Sequence, residues 1–257
     1  LTFIHISDTH ISHLPDYHPP WAHPFVQHPN VSVRKLIHMM NHLPFAIDFV
    51  LHTGDVCADP LIADCTTARE LLAQSKHPIY MIPGNHDDGE LMMSHIHDGQ
   101  LLHVLRDERV TINGYDVIAL DTNGLGDAHA PTVSDRQLAW LSDELRDAGH
   151  MIVAAHHPLQ LTGVDWIDHK MRVQNGGALH DLLKQHTDRL HGVLHGHIHQ
   201  SVNTYSDGVL YMSCPSTWYN LQGDPTVQTD MHDPDMPAGF NLVMIRNNHM
   251  FSRRYVL

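Results

Sequence analysis

The chain has 257 residues, 42% of them hydrophobic and 17% charged, a balance that excludes intrinsic disorder and allows a sizeable buried core. A formal charge of -14 argues against long nucleic acid as a partner, since phosphate backbones select basic surfaces; a small anion stays open if metal ions concentrate positive charge. No apolar run approaches the roughly 18 residues that span a bilayer, no basic-then-apolar leader precedes the first strand, and three cysteines are too few for a disulfide framework, so the expected setting is cytoplasmic and away from membranes.

Residues 1–7 alternate apolar and polar and predict a strand closing on Asp8-Thr9-His10. A loop of about 20 residues follows through Pro15, Pro19, Pro20, Pro24 and Pro29, a length that marks a functional rim. Its His13, His18, His23 and His28 form a candidate metal-binding tract. Val33, Leu36, Ile37, Met40 and Leu43 recur at helical spacing, with Asn30 or Ser32 as cap and Pro44 as stop. Residues 45–51 read as a buried strand ending at His52-Thr53-Gly54-Asp55, and 61–74 as a helix. Residues 79–82 form another short buried strand, which turns on Pro83-Gly84 and presents Asn85, His86 and Asp87. Asp87 is assigned as cap of a helix over 89–97, with orientation of His86 as the alternative.

Asn113-Gly114 between 110–112 and 115–120 is a hairpin signal. Ser134 with Gln137 makes a capping box for a helix striped by Leu138, Leu141 and Leu145. Residues 151–155 predict a buried strand ending at His156-His157-Pro158, 163–177 a second rim loop, 178–186 a helix, and 192–194 a strand ending at Gly196-His197-Ile198-His199. Two hairpins then follow, 202–213 around Asp207-Gly208 and 240–256 around Asn247-Asn248, and suggest a second sheet packed on the first. With no internal repeat and no composition break, one domain is expected over 1–257. Residues 218–240 are a solvated loop by default, or a cap or oligomer interface.

Histidine is abundant, 27 of 257 residues, so one imidazole alone signals nothing. The strand ends taken together do. Asp8 and His10, Asp55, Asn85, His156, and His197 with His199 supply two acids, one amide and four imidazoles, without sulfur. Such oxygen and nitrogen donors suit Mn, Fe or Zn in open five- or six-fold geometry rather than a structural zinc knot, and they are too many for one ion. Spacing of two, as in Asp8/His10 and His197/His199, would aim both side chains the same way from a strand.

The series D-x-H, G-D, G-N-H-D, H-H-P, G-H-x-H over residues 8–199 resembles the calcineurin-like metallophosphoesterase superfamily, with most similarity to class III cyclic nucleotide phosphodiesterases and glycerophosphodiesterases. The helix carrying Gln137, Trp140 and Leu141 resembles theirs too. The resemblance implies an α/β fold, a four-layer αββα sandwich of two mixed sheets flanked by helices, and two metal ions. Asp8, His10, Asp55 and His199 would hold one ion; Asp55, Asn85, His156 and His197 would hold the other, with Asp55 bridging. His86 and Asn85 would be the catalytic side chains beside the phosphate. Ala58 stands where purple acid phosphatases carry a metal-binding Tyr, and Val56-Cys57-Ala58 and Asp87 depart from the protein Ser/Thr phosphatases.

The expected activity is a metal-dependent phosphoric diester hydrolase: a metal-bridging hydroxide attacks a small phosphodiester, a 3′,5′-cyclic nucleotide foremost. Phosphomonoesterase, pyrophosphohydrolase or nuclease activity on the same fold is the alternative, and a non-catalytic interaction module is the alternative from another class. The resemblance also implies a homo-oligomer formed through the C-terminal portion.

Overall fold

In the first strand Phe3 and Ile4 point to opposite faces, and both are fully buried. A strand covered on both sides needs a layer on each, and the computed structural model, which describes residues 1–19, 22 and 26–257, supplies them. In chain order the first elements are β1 (Thr2–Ile6), α1 (Pro29–Asn41), β2 (Phe49–His52), α2 (Ile62–Leu72), β3 (Ile79–Met81), α3 (Gly89–His95) and β4 (Leu102–Val104). Next come β5 (Glu108–Ile112), β6 (Tyr115–Ala119), β7 (Leu125–Asp127), β8 (Ala130–Thr132), α4 (Asp135–Asp147) and β9 (Met151–Ala154). The chain continues through α5 (Asp165–Lys170), α6 (Gly176–Leu183) and β10 (Leu190–His195). It ends with β11 (Asn203–Ser206), β12 (Val209–Ser213), β13 (Gly239–Arg246) and β14 (His249–Val256).

Two six-stranded sheets result, ordered β14-β13-β1-β2-β3-β4 and β11-β12-β10-β9-β6-β5. The central strands of each run parallel and the outer hairpins antiparallel, so both sheets are mixed. Phe3, Phe49 and Leu51 of the first sheet meet Val117, Ile152, Ala154 and Leu194 of the second in one apolar layer. Ile4, Ile6, Val50 and Met81 turn outward onto α1, α2 and α3. Val153, Val193 and Tyr211 turn outward onto α4 and α6. This is the four-layer αββα order.

The two C-terminal hairpins, whose lack of helices suggests a second sheet of their own, do not form one. β11–β12 extends the second sheet beside β10, and β13–β14 extends the first beside β1. Each parallel sheet leaves an open edge, and an antiparallel ribbon closes it. Three strands, β4, β7 and β8, are three residues each, too short for an alternation to mark them, and escape the sequence pattern.

Local caps also differ from expectation. His28, not Asn30 or Ser32, caps α1, accepting from Asn30 N–H at Nδ1 (3.2 Å), with Pro29 in the first turn. The Asn30 amide is taken by Ser12, whose N–H and C=O it clasps at 3.1 and 2.7 Å. The expected rim loop at 163–177 contains α5 and the start of α6. The proposed histidine tract has other partners: His13 pairs with Asp64 at 2.6 Å, His28 is a cap, and His23 lies outside the described residues. Among the described residues no helix is long and apolar enough to cross a membrane.

Phe3 and Phe49 stack between the sheets with centroids 4.8 Å apart. Phe49→Ala is expected to cost about 3–5 kcal/mol in urea unfolding, since the cavity sits where neither sheet can collapse.

Candidate metal centre

Parallel strands deliver their C-terminal ends to the same side of a sheet, where open α/β folds bind ligands. Here the pairing of β1 with β2 outlasts both strands. Asp8 N–H donates to Gly54 O (3.0 Å), His10 N–H to Asp55 O (3.0 Å) and Ile11 N–H to Val56 O (2.9 Å). In the second sheet Gly196 N–H donates to His156 O (3.0 Å).

A continued pleat does not aim the side chains, which corrects the expectation from spacing. Asp8, His10, Asp55, His197 and His199 lie beyond the strands with φ of 54, 45, 53, 68 and 48°. Left-handed backbone costs roughly 1–2 kcal/mol per non-glycine residue, and it clusters at functional sites. Its effect is to curl each segment so that alternate side chains return to one point. Gly196 is needed for close approach: a Cβ there would overlap Ser7 Oγ and lie 2.8 Å from Asp8 Oδ2.

All seven candidate ligands meet around one cleft of about 440 Å³, with Asp8 and His156 buried behind it and His86 on its wall. The donor atoms of Asp8, His10 and His199 lie within 4.8 Å of one another, as do those of Asp8, Asp55 and His156. Asp55 Oδ1 accepts the His86 N–H at 2.9 Å. Its Oδ2 lies 3.8 Å from His10 Nε2 and 3.3 Å from His156 Nε2, between the two donor sets.

Hydrogen bonds fix the tautomers. Carbonyls only accept, so His156 donates from Nδ1 to Thr53 O (2.7 Å) and His199 from Nδ1 to Tyr219 O (2.9 Å). The Nε2 lone pair of His156 then faces Asp55 Oδ2 and, at 3.1 Å, Asn85 Oδ1. That of His199 faces Asp8 Oδ1 at 3.5 Å and His10 Nε2 at 3.2 Å. His197 donates from Nε2 to His129 O (3.1 Å), which leaves Nδ1 as its candidate donor atom. Acceptors crowded at these separations repel unless a cation lies among them, and the spacing suits ligands about 2.0–2.2 Å from a metal. The residues fit divalent metal.

Electrostatics agree. Burial pushes the imidazoles of His10 down to about 3 and of His197 well below its ordinary range, so both are neutral, the form that binds metal. Burial opposes charge on Asp55 too, but the facing His156 and His86 hold its carboxyl well below the usual range. His156 is the exception: burial disfavours its cation, yet Asp55 raises it to about 9. Without metal, a proton sits where the cation belongs.

The supporting groups lie both inside the motifs and outside them. Asp88 caps α3, through Glu90 and Leu91 N–H, correcting the assignment to Asp87. Asp87 instead accepts from Val56, Cys57 and Gly84 N–H at 3.0, 2.8 and 2.8 Å, clamping the Asp55 loop to the Asn85 loop. His157 donates from Nε2 to Ala128 O (2.8 Å) and receives the Thr122 hydroxyl at Nδ1 (2.8 Å), so it positions the 122–128 segment. His52 spans Thr9 Oγ1 and Gly54 N–H beneath the cleft. Residues 216–221 are mostly buried rather than solvated; Tyr219, Leu221, Asp230 and His232 wall the cleft. The carbonyls of Thr53, Tyr219 and His129 that orient the imidazoles are silent in any sequence.

The sequence model of the calcineurin-like phosphoesterase family matches residues 1–201. The chain is 30% identical over 183 residues to the 3′,5′-cyclic adenosine monophosphate phosphodiesterase CpdA of Vibrio vulnificus, and 31% over 188 residues to that of Pseudomonas aeruginosa. These matches cover 70% and 72% of this chain but 64% and 66% of the relatives, just under two thirds of their length. A dimetal phosphatase from Danio rerio has the same fold, with a TM-score of 0.72 at 14% identity over 99% of this chain and 96% of that one.

Gly196→Ala is expected to displace Asp8 and lower bound manganese per chain, measured by elemental analysis, against the unaltered protein. A second expectation concerns pH. The folded pKa of His156 lies above its unfolded value of 6.5, so the stability it gives metal-free protein is present below about pH 6.5 and lost as pH rises toward 9. Metal displaces that proton, so apparent affinity should climb with pH across the same window, as titration calorimetry in two buffers would record.

Proposed function

The chain belongs to the calcineurin-like phosphoesterase family, and from that premise we propose that it is a metal-dependent phosphodiesterase acting on a small diester, a 3′,5′-cyclic nucleotide foremost. The observation that carries the reading is Asp55 Oδ2 set 3.8 Å from His10 and 3.3 Å from His156, with Asp8 and His199 gathered at His10, and with Asn85, His157 and His197 beside His156. Two divalent ions, of Mn, Fe or Zn, fit that arrangement; when bound they supply an activated water and neutralise charge on the phosphoryl oxygens. The relatives' names support the cyclic nucleotide as substrate.

The chain's own residues do the rest. Asn85 lines the cleft, and its amide offers hydrogens to an equatorial phosphoryl oxygen as charge develops there. His86 donates from Nδ1 to Ala58 O (2.9 Å), which fixes its ring on the cleft wall; when the ring also carries a proton on Nε2, that nitrogen passes it to the departing alkoxide. The buried underside, with Asp87 as clamp, holds both residues still while substrate binds. Residues 1–257 are treated as one domain because 203–213 and 239–256 complete the sheets that the N-terminal strands begin. Three cysteines, too few and too scattered for a disulfide framework, support a reducing cytoplasm.

Purified protein with Mn²⁺ should hydrolyse cyclic AMP and bis(p-nitrophenyl) phosphate faster than the matching monoesters. No turnover above an Asp55→Ala control would sink the proposal, and a monoester preference would move it to phosphomonoesterase. His86→Ala should lower kcat for cyclic AMP by about 10²–10⁴ but spare bis(p-nitrophenyl) phosphate much of that loss, because p-nitrophenolate leaves without a proton.

A further inference from the structure

Beside the metal cleft lies a second groove of about 600 Å³, within the range of roughly 300–1,000 Å³ typical of small-molecule sites. His129, Met171 and Asp230 border both, so a substituent on a phosphate held in the first cavity would extend into the second. One wall is α5, with Trp166 and Lys170; the other is the 228–230 segment, with Gln228.

Both walls are tied to the candidate ligands. Ile198, between His197 and His199, packs with Val164, Ile167, Trp166 and Met171. Leu221 N–H donates to His199 O (3.1 Å), and Gln222 N–H to Met231 O (2.7 Å), anchoring the opposite wall. The groove therefore keeps a fixed register to the metal centre, as a specificity subsite must.

Its chemistry is selective. Trp166 and Met171 offer a flat aromatic ring and a polarisable thioether, surfaces that suit a planar heterocycle. Gln228 can pair with the edge of such a ring, and Asp230, on the shared border, can accept from a sugar hydroxyl beside the phosphate. The groove is lined by two carboxylates, Asp165 and Asp230, one ammonium, Lys170, and the imidazoles of His129 and His169, in a chain of net charge -14. A substituent carrying further phosphate would be repelled.

We propose that this groove is the subsite for the nucleoside part of the ester, and that it admits an uncharged nucleoside while rejecting one with an additional phosphate. The inference rests on the phosphodiesterase reading and separates cyclic mononucleotides from polyphosphates and nucleic acid fragments. Trp166→Ala should lower kcat/KM for cyclic AMP at least tenfold more than for methyl p-nitrophenyl phosphate. Gln228→Ala, on an exposed loop, should move the same ratio in the same direction if Trp166→Ala fails to fold. Asp165→Lys should raise kcat/KM for the 5′-phosphorylated dinucleotide pApA relative to cyclic AMP. Adenosine titrated calorimetrically should bind the unaltered protein saturably and Trp166→Ala not at all.

Unchanged ester ratios in both groove variants, or equal adenosine binding by the unaltered protein and Trp166→Ala, overturn the subsite. If the unaltered protein turns over neither ester, the phosphodiesterase reading fails instead, and the adenosine titration still decides the groove.

Discussion

Asp8, Asp55, Asn85 and the Nε2 atoms of His156 and His199 turn lone pairs toward one another in a region nearly closed to water, and much of the surrounding structure serves to keep them there. Burial penalises the carboxylates, and the imidazoles are mostly neutral, so little inside the cluster offsets its own repulsion. A proton on His156 is one partial answer; divalent cations are a fuller one, because each satisfies several acceptors at once. The fit of these residues to divalent metal thus follows from an electrostatic deficit that folding creates.

Creating it requires backbone that would not adopt this shape alone. Five left-handed residues carry the donors, and their cost is spread over continued strand pairing, buried apolar layers on both faces of each sheet, and the Asp87 carboxylate that collects three backbone N–H groups. Burial and the nearby Asp55 charge push the Asp87 carboxyl up to about 6, and the three N–H bonds work against that rise. Its place is a joint between two loops rather than a helix cap. Rigidity of this kind suits a metal site, since small misplacements of ligands are costly.

The C-terminal third shapes the entrance as well as the edges. After β12 the chain passes under the cleft with Ser216 and Thr217 against Asp8 O, turns Tyr219 O to His199, and sends 228–232 across the opening. The carbonyl that orients His199 and part of the cleft wall therefore belong to one segment.

The alternation of 1–7, the apolar runs at 79–82 and 151–155, the Asn113-Gly114 turn and the Ser134–Gln137 box all correspond to observed elements, because period and cap chemistry are local properties. The set of donor types at strand ends was equally legible, since metal chemistry names its residues. Not legible were the sheet joined by each hairpin, the left-handed turns that replace a pleat, the carbonyls that set tautomers, and the histidine that caps α1. The sheet joins and the tautomer-setting carbonyls depend on which backbone groups meet from roughly 20 to 240 residues apart, and backbone groups look alike at every position. Sequence by itself determined what could be bound; the tertiary structure decided how the donors face one another and what lies beside them, because direction and proximity exist only after the chain has packed.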